Sequence, residues 1–120
     1  MNHRKWPNPQ QTLELTPEDV RDLAEEIRTG ACILVDCREE EEWAINRLPD
    51  AKLAPLSRFG TEAAALLTES HLPCIIYCHH GMRSLRAVEW LRSHGYTASF
   101  SMAGGIHQWS ERIDPTVPKY

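Results

Sequence analysis

The sequence predicts an α/β fold: a mainly parallel central sheet of about five strands with helices on both faces. Three observations predict it. Cys32-Ile33-Leu34-Val35 and Cys74-Ile75-Ile76-Tyr77 are apolar at every position, as strands buried on both faces are. Segments with apolar residues at helical spacing lie between and around these runs. Each run gives way abruptly to polar or reactive residues, Asp36 and Arg38 after the first and the Cys78 loop after the second. Ligands of such sheets bind beyond the carboxyl ends of the strands, where these residues emerge.

Taken in order, Leu13 and Leu15 alternate with polar neighbours and read as a short strand. Thr16 is placed to cap a helix, Pro17 suits its first position, and Glu18 and Asp19 favour its positive end. Val20, Leu23, Ala24 and Ile27 recur at helical spacing up to Gly30, a C-terminal stop. After the first buried strand, the acidic run 39–42 and Trp43 form a short helix with a solvated acidic face. Residues 52–56 read as a strand stopped by Pro55. Residues 61–69 carry Ala63, Ala64, Leu66 and Leu67 and form a helix. The second buried strand leads into Cys78-His79-His80-Gly81-Met82-Arg83, which lacks helical periodicity. From Ser84 a helix presents Ala87, Val88 and Leu91 on one face and ends at Gly95. Residues 97–102 are the last strand, and Ala103-Gly104-Gly105 turns into a final helix through Ile106 and Trp109. Right-handed crossovers between parallel strands put these helices on both faces.

At 120 residues the chain suits one domain with its own core. Its 42% hydrophobic and 25% charged residues exclude global disorder. A net charge of −4 with no basic stripe argues against nucleic acid as the main partner. No segment approaches the ~20 apolar residues of a membrane span. The first residues, Met1 to Pro7, hold no apolar stretch of a secretory signal, so the expected location is cytoplasmic. The cysteines at 32, 37, 74 and 78 are then expected as thiols rather than disulfides.

Cys78 stands apart from the other three. A lone cysteine after a strand is by default a small, inert, buried thiol. Here the strand opens a tight loop that runs into a helix, and the loop holds Gly81 and Arg83. Backbone N–H groups in such a loop form an anion-binding nest, and the helix adds the positive end of its dipole. Gly81 supplies a residue able to take positive φ. With the fixed charge of Arg83, these features favour thiolate over thiol and make Cys78 a nucleophile.

These residues carry a family resemblance. Cys78-His79-His80-Gly81-Met82-Arg83-Ser84 resembles the active-site loop of rhodanese domains. Asp36-Cys37-Arg38-Glu39 resembles their early Asp-x-Arg segment. Glu42-Trp43, Leu48-Pro49 and Pro55-Leu56 fall where that family has an acidic–aromatic pair and an Ile-Pro-Gly-Ala-x-x-x-Pro-Leu stretch. Ala103-Gly104-Gly105-Ile106 with Trp109 looks like the family's Gly-Gly-x-x-x-Trp ending. The matched segments imply a rhodanese-like domain over residues 12–112, with 1–11 an extended N-terminal arm and 113–120 an irregular tail. Asn46-Arg47 replaces the family's Gly-His, and Asp50 its glycine. Asn and Asp tolerate the left-handed region better than most residues, so both turns are expected to survive.

The resemblance implies a sulfurtransferase, and no cofactor or metal is expected. Cys78 would take a sulfur from a small anionic donor such as thiosulfate, or from a persulfide donor, and pass it, through a Cys78 persulfide, to cyanide or to a small or protein thiol. His79, His80, Gly81, Met82, Arg83 and Ser84 would surround the donor, with Arg83 attracting it and Ser84 donating a hydrogen bond. Asp36 and Arg38 would brace the loop. Two alternatives stay open: a non-turnover persulfide carrier or regulatory module, and a cysteine phosphatase or arsenate reductase. The latter enzymes have a loop one residue longer than the four residues between Cys78 and Arg83.

Other residues have plainer readings. His79 and His80 are adjacent, with no metal-ligand spacing around them, and are expected to flank the site and tune anion access. Cys37 is either a resolving thiol for Cys78 or a buried neighbour. Trp43 and Trp109 are expected as core or interface anchors.

Overall fold

The computed structural model describes residues 6–120. The first five residues of the expected arm lie outside the described residues. The remainder turns at Asn8, whose carbonyl accepts from the Gln11 and Thr12 amides, and Trp6 stacks on Phe100 with ring centroids 5.7 Å apart.

The elements are β1 (Glu14–Leu15), α1 (Pro17–Asp22), α2 (Ala24–Thr29), β2 (Ile33–Asp36), α3 (Glu40–Ile45), β3 (Lys52–Leu53), a 3-10 turn (Leu56–Arg58), α4 (Phe59–Leu66), β4 (Cys74–Tyr77), α5 (Met82–Ser93), β5 (Ser99–Met102) and α6 (Gly105–Arg112). The five strands form one sheet in the order β1-β5-β4-β2-β3, and every neighbouring pair is parallel. The sheet is therefore wholly parallel. β4 is central and buried at all four positions, as its unbroken apolar run requires.

Alternation along the strands divides the core in two. Leu34, Ile75, Tyr77, Phe100 and Met102 pack on one face with Val20, Ile27 and Ile106 from the helices. Val35, Cys37, Cys74, Ile76 and Cys78 pack on the other with Ala63 of α4 and Ala87, Val88 and Leu91 of α5. Cys37 and Cys78 thus share a face at the same end of the sheet.

The helix expected after Thr16 begins as read. The Thr16 hydroxyl accepts from the Asp19 amide at 3.1 Å, and the Asp19 carboxylate accepts from the Thr16 amide at 3.0 Å. It does not run unbroken to Ile27. Leu23 bends it at φ −99°, ψ 12°, which turns Val20, Leu23 and Ile27 onto a single apolar cluster. The strand expected over 52–56 is regular only at Lys52–Leu53. Ala54 and Leu56 still donate to Asp36 and Cys37, both at 2.9 Å, but Pro55 between them has no N–H to give. α5 starts at Met82, two residues before Ser84, because Gly81 caps it at φ 102°. Of the two replaced glycines, Asp50 does take the left-handed region at φ 62°, whereas Asn46 is extended at φ −162°.

Candidate active site

Cys78 follows the last residue of β4, and the chain then folds back so that two amides face its sulfur. The Gly81 N–H donates to Sγ at 3.1 Å and the Ser84 N–H at 3.4 Å. The second belongs to the first turn of α5, so the sulfur sits at the positive end of a twelve-residue helix. The Ser84 hydroxyl is 3.4 Å from Sγ, 3.2 Å from the Gly81 carbonyl and 2.7 Å from the Ser101 hydroxyl. Its single proton cannot serve both Cys78 and Gly81. Charge-assisted bonds are the stronger, so a Cys78 thiolate takes it, and the buried Ser101 hydroxyl donates to Ser84 in turn.

A fourth donor comes from the neighbouring strand. Asp36 pairs with Tyr77 across β2 and β4, and the Cys37 amide donates to the Tyr77 carbonyl at 3.0 Å. One residue further on, Cys37 and Cys78 stand side by side. The Cys37 thiol proton is the largest influence holding Cys78 ionised. Burial opposes it, and the Ser84 hydroxyl and the Ser84 and Gly81 amides reinforce it. Together they lower the Cys78 thiol from the ordinary 9.0 to about 5. Cys37 is pushed the opposite way, first because its proton is held by Cys78 and then by burial. Burial alone dominates at Cys32, which stays a thiol.

In Cys37→Ala the Cys78 thiol is expected to titrate at least about one unit higher, because the main donor is gone while burial remains. Iodoacetamide alkylation followed against pH measures it. Cys37→Ser restores a donor and should recover part of the shift; an unmoved midpoint in Cys37→Ala would remove Cys37 from the cradle.

Gly104 and Gly105 fasten the loop from the other side. α6 begins against it, with the Ile106 amide donating to the Cys78 carbonyl at 2.9 Å and the His107 amide to the His79 carbonyl at 3.1 Å. Backbone approaches this closely only where no Cβ intervenes. A Cβ on Gly105 would stand 2.4 Å from both the Cys78 and His79 carbonyl oxygens.

Asp36 and Arg38 are fully buried and pair with each other. Arg38 forks onto Asp36, with Nε 3.0 Å from Oδ1 and Nη2 2.7 Å from Oδ2. It also donates to the Asn46 side chain at 2.8 Å, the Asn46 carbonyl at 2.7 Å and the Tyr120 hydroxyl at 2.8 Å. Its five N–H groups are thereby committed, and none is left for a substrate. Burial disfavours the guanidinium, but the Asp36 and Tyr120 bonds outweigh it. Asn46 is part of this network, and Arg47 lies over the Trp43 ring at 4.2 Å.

Arg83, expected as a fixed positive charge that attracts the donor, is paired with a carboxylate. Both its terminal nitrogens are on Glu42, at 2.7 and 2.8 Å. Glu42 is correspondingly not part of a solvated face. Arg83 first, against burial, and then the Tyr120 hydroxyl at 2.6 Å hold its carboxyl at about 2. The pair is neutral overall, so the amides and thiol around Cys78 provide the anion-stabilising field. Of the remaining loop residues, Ser84 is buried, His79 is half-buried, and His80 and Met82 are exposed at the rim. Burial, then the neighbouring His80, holds His79 below the usual imidazole value. Cys78 itself is 1% exposed: it is buried, but among N–H donors rather than in a purely apolar interior. The hollow lined by Val20, Leu34, Leu48, Pro49 and Trp109 is far from it in the fold, under the opposite sheet face.

Reading the sequence missed Cys37 as a donor, Glu42, Ser101, Asn46, His107 and Tyr120. Strand parity would have paired Cys37 with Cys78. For His107 and Tyr120 the sequence offers no signal, because the contact is made by distant segments of chain.

The fold and the site together define a parallel α/β domain with a cysteine on the loop between a central strand and a helix. The Rhodanese-like domain model matches residues 17–112, and the chain belongs to that family. It is similar to the Arabidopsis thaliana rhodanese-like/PpiC domain-containing protein 12, chloroplastic: 35% identical over 89 residues, 72% of this chain and 30% of the relative. It is also similar to the Drosophila ananassae adenylyltransferase and sulfurtransferase MOCS3, at 30% identity over 85% of this chain and 24% of the relative. The chain therefore spans less than a third of these curated relatives. The human single-domain sulfurtransferase TSTD1 superposes with a TM-score of 0.71 at 26% identity, covering 84% of this chain and 97% of that one. No helix among the described residues is long and apolar enough to cross a membrane.

Proposed function

We propose that the protein is a sulfurtransferase that carries a sulfane sulfur on Cys78. The observation that supports this most is the cradle of Gly81 and Ser84 amides and the Cys37 thiol, which keeps a sulfur nucleophile ionised at neutral pH. The Cys78 thiolate attacks the outer sulfur of thiosulfate. A new S–S bond forms, the donor's S–S bond breaks, and sulfite leaves with its electron pair. The cradle then holds the terminal sulfur of the persulfide anion. Cyanide or a thiolate attacks that sulfur, and the Cys78 thiolate is released as the leaving group. No external oxidant or reductant is consumed in this exchange. His80 and Met82 lie exposed at the rim of the loop. The test is intact mass after thiosulfate treatment, then thiocyanate release with cyanide. A gain of one sulfur atom, lost on adding cyanide with turnover, supports transfer. No gain of mass sinks the reading.

A persulfide carrier that passes its sulfur to a protein is a second reading. Sulfur uptake without cyanide turnover would select it. A phosphatase role is disfavoured by the short loop, and aryl phosphate hydrolysis is expected to be absent.

Glu42→Gln tests the part played by Arg83. Removing the carboxylate charge releases the guanidinium toward the loop, so KM for thiosulfate is expected to fall severalfold with kcat little changed. Unchanged KM would mean that the Arg83 charge does not reach the donor.

A further inference from the structure

We propose that His79, His80 and His107 form a site for a divalent transition-metal ion of the zinc class at the rim of the Cys78 loop. Adjacent histidines alone make no such site. The fold adds a third imidazole from α6, delivered by the backbone bond from the His107 amide to the His79 carbonyl. One ligand nitrogen from each of the three lies within 4.8 Å of the others. Nitrogens bound to one zinc at about 2.0–2.1 Å each are closer than that, so the rings must draw together. His80 is exposed, and its ring, now packed on His79 with centroids 3.9 Å apart, is the one that must turn off that contact.

Two of the rings each carry a buried nitrogen without a hydrogen-bond partner among the described residues, Nδ1 of His107 and Nε2 of His79. Buried imidazole nitrogens normally find one. On His107 the other nitrogen, Nε2, is 3.6 Å from Glu111 Oε1. A carboxylate there favours the proton on Nε2 and leaves the Nδ1 lone pair available, the arrangement found around metal-bound histidines. On His79 the Tyr120 ring stacks with centroids 3.9 Å apart and planes 10° from parallel. Stacking occupies the face of the imidazole and fixes its tilt, while metal ligation uses the in-plane lone pair.

Three neutral imidazoles select zinc, copper or nickel over calcium or magnesium, which require oxygen donors. They leave a fourth position for water or an anion. The site itself does not depend on the sulfur-transfer reading. Its consequence does: an ion bound beside Cys78 would obstruct the donor and inhibit transfer reversibly.

The test uses the full chain with Cys78→Ser, so that the reactive thiolate cannot hold the metal. Titration with Zn²⁺ by calorimetry should show one ion per chain, not displaced by excess Mg²⁺. Co²⁺ should give ligand-field absorption without a thiolate-to-metal charge-transfer band. Adding His107→Asn should weaken binding more than about tenfold, and Glu111→Gln should weaken it about tenfold by loosening His107. A His107→Asn chain with unchanged thermal unfolding keeps the comparison valid. If that variant unfolds early, Zn²⁺-induced shifts of the His107 ring resonances in the Cys78→Ser chain decide instead, and their absence overturns the site. No zinc binding by the Cys78→Ser chain, equal binding after His107→Asn, or a charge-transfer band would each overturn it as well. Because these readouts are independent of turnover, they can fail or succeed separately from sulfur transfer.

Discussion

Cys78→Ser is expected to take up no sulfur from thiosulfate and to reduce transfer to background. A serine hydroxyl in the same cradle stays protonated at neutral pH, so no anion is present to attack the donor. The cradle itself should persist, since Gly81 and Ser84 amides can donate to oxygen as to sulfur. Intact mass and thiocyanate release measure the first effect. The second has a pH signature in stability. The folded Cys78 pKa is lowered to about 5 from 9.0, so the folded state binds fewer protons than the unfolded chain between those values. The associated stabilisation is complete above about 9 and is lost as pH falls through about 5. The wild type should therefore gain stability over Cys78→Ser as pH rises across this window, and the gap should be smallest below it. Alkylation of wild-type Cys78 should follow the same acid limb. A midpoint near that of free cysteine would remove the basis of the proposed chemistry.

Gly105→Ala is expected to be the most damaging change at a position with no side chain. Two costs add. At φ 62° any Cβ is strained, at about 1–3 kcal/mol. The new methyl would also meet the Cys78 and His79 carbonyls at 2.4 Å, which forces the loop away from α6 at about 1–3 kcal/mol more. Against a typical total stability of about 5–15 kcal/mol, this is enough to lower the melting temperature sharply. Folded molecules should carry a displaced loop and a higher Cys78 pKa. Gly95→Ala is the control. Gly95 has φ 94° but nothing within 4 Å of a Cβ, so that variant bears the backbone cost alone. Equal melting temperatures for the two variants would show that close approach of α6 to the loop is unimportant.

The glycine pair illustrates how much was legible beforehand. Gly104-Gly105 could be recognised as a turn into a helix, but not as the place where that helix touches the carbonyl of the nucleophile. The buried runs 32–35 and 74–77 were readable because burial on both faces demands apolar residues at every position. Where a strand is only two residues long, as at Lys52–Leu53, two positions cannot establish a period. Leu23 shows a different failure. Its helical spacing continues through the bend, since both short helices address one core cluster.

The sequence by itself determined the parallel α/β scaffold and the position of Cys78 at the mouth of a strand–loop–helix, because strand burial, caps and glycines act over a few neighbouring residues. Only the tertiary structure decided what surrounds the sulfur. It set Cys37 beside Cys78, closed Arg83 onto Glu42, committed every Arg38 donor, and brought His107 and Tyr120 against His79. Those contacts join residues from different strands, helices and the tail. Their electrostatics depend on distance through space and on exclusion of water, and neither is written in the local order of the chain.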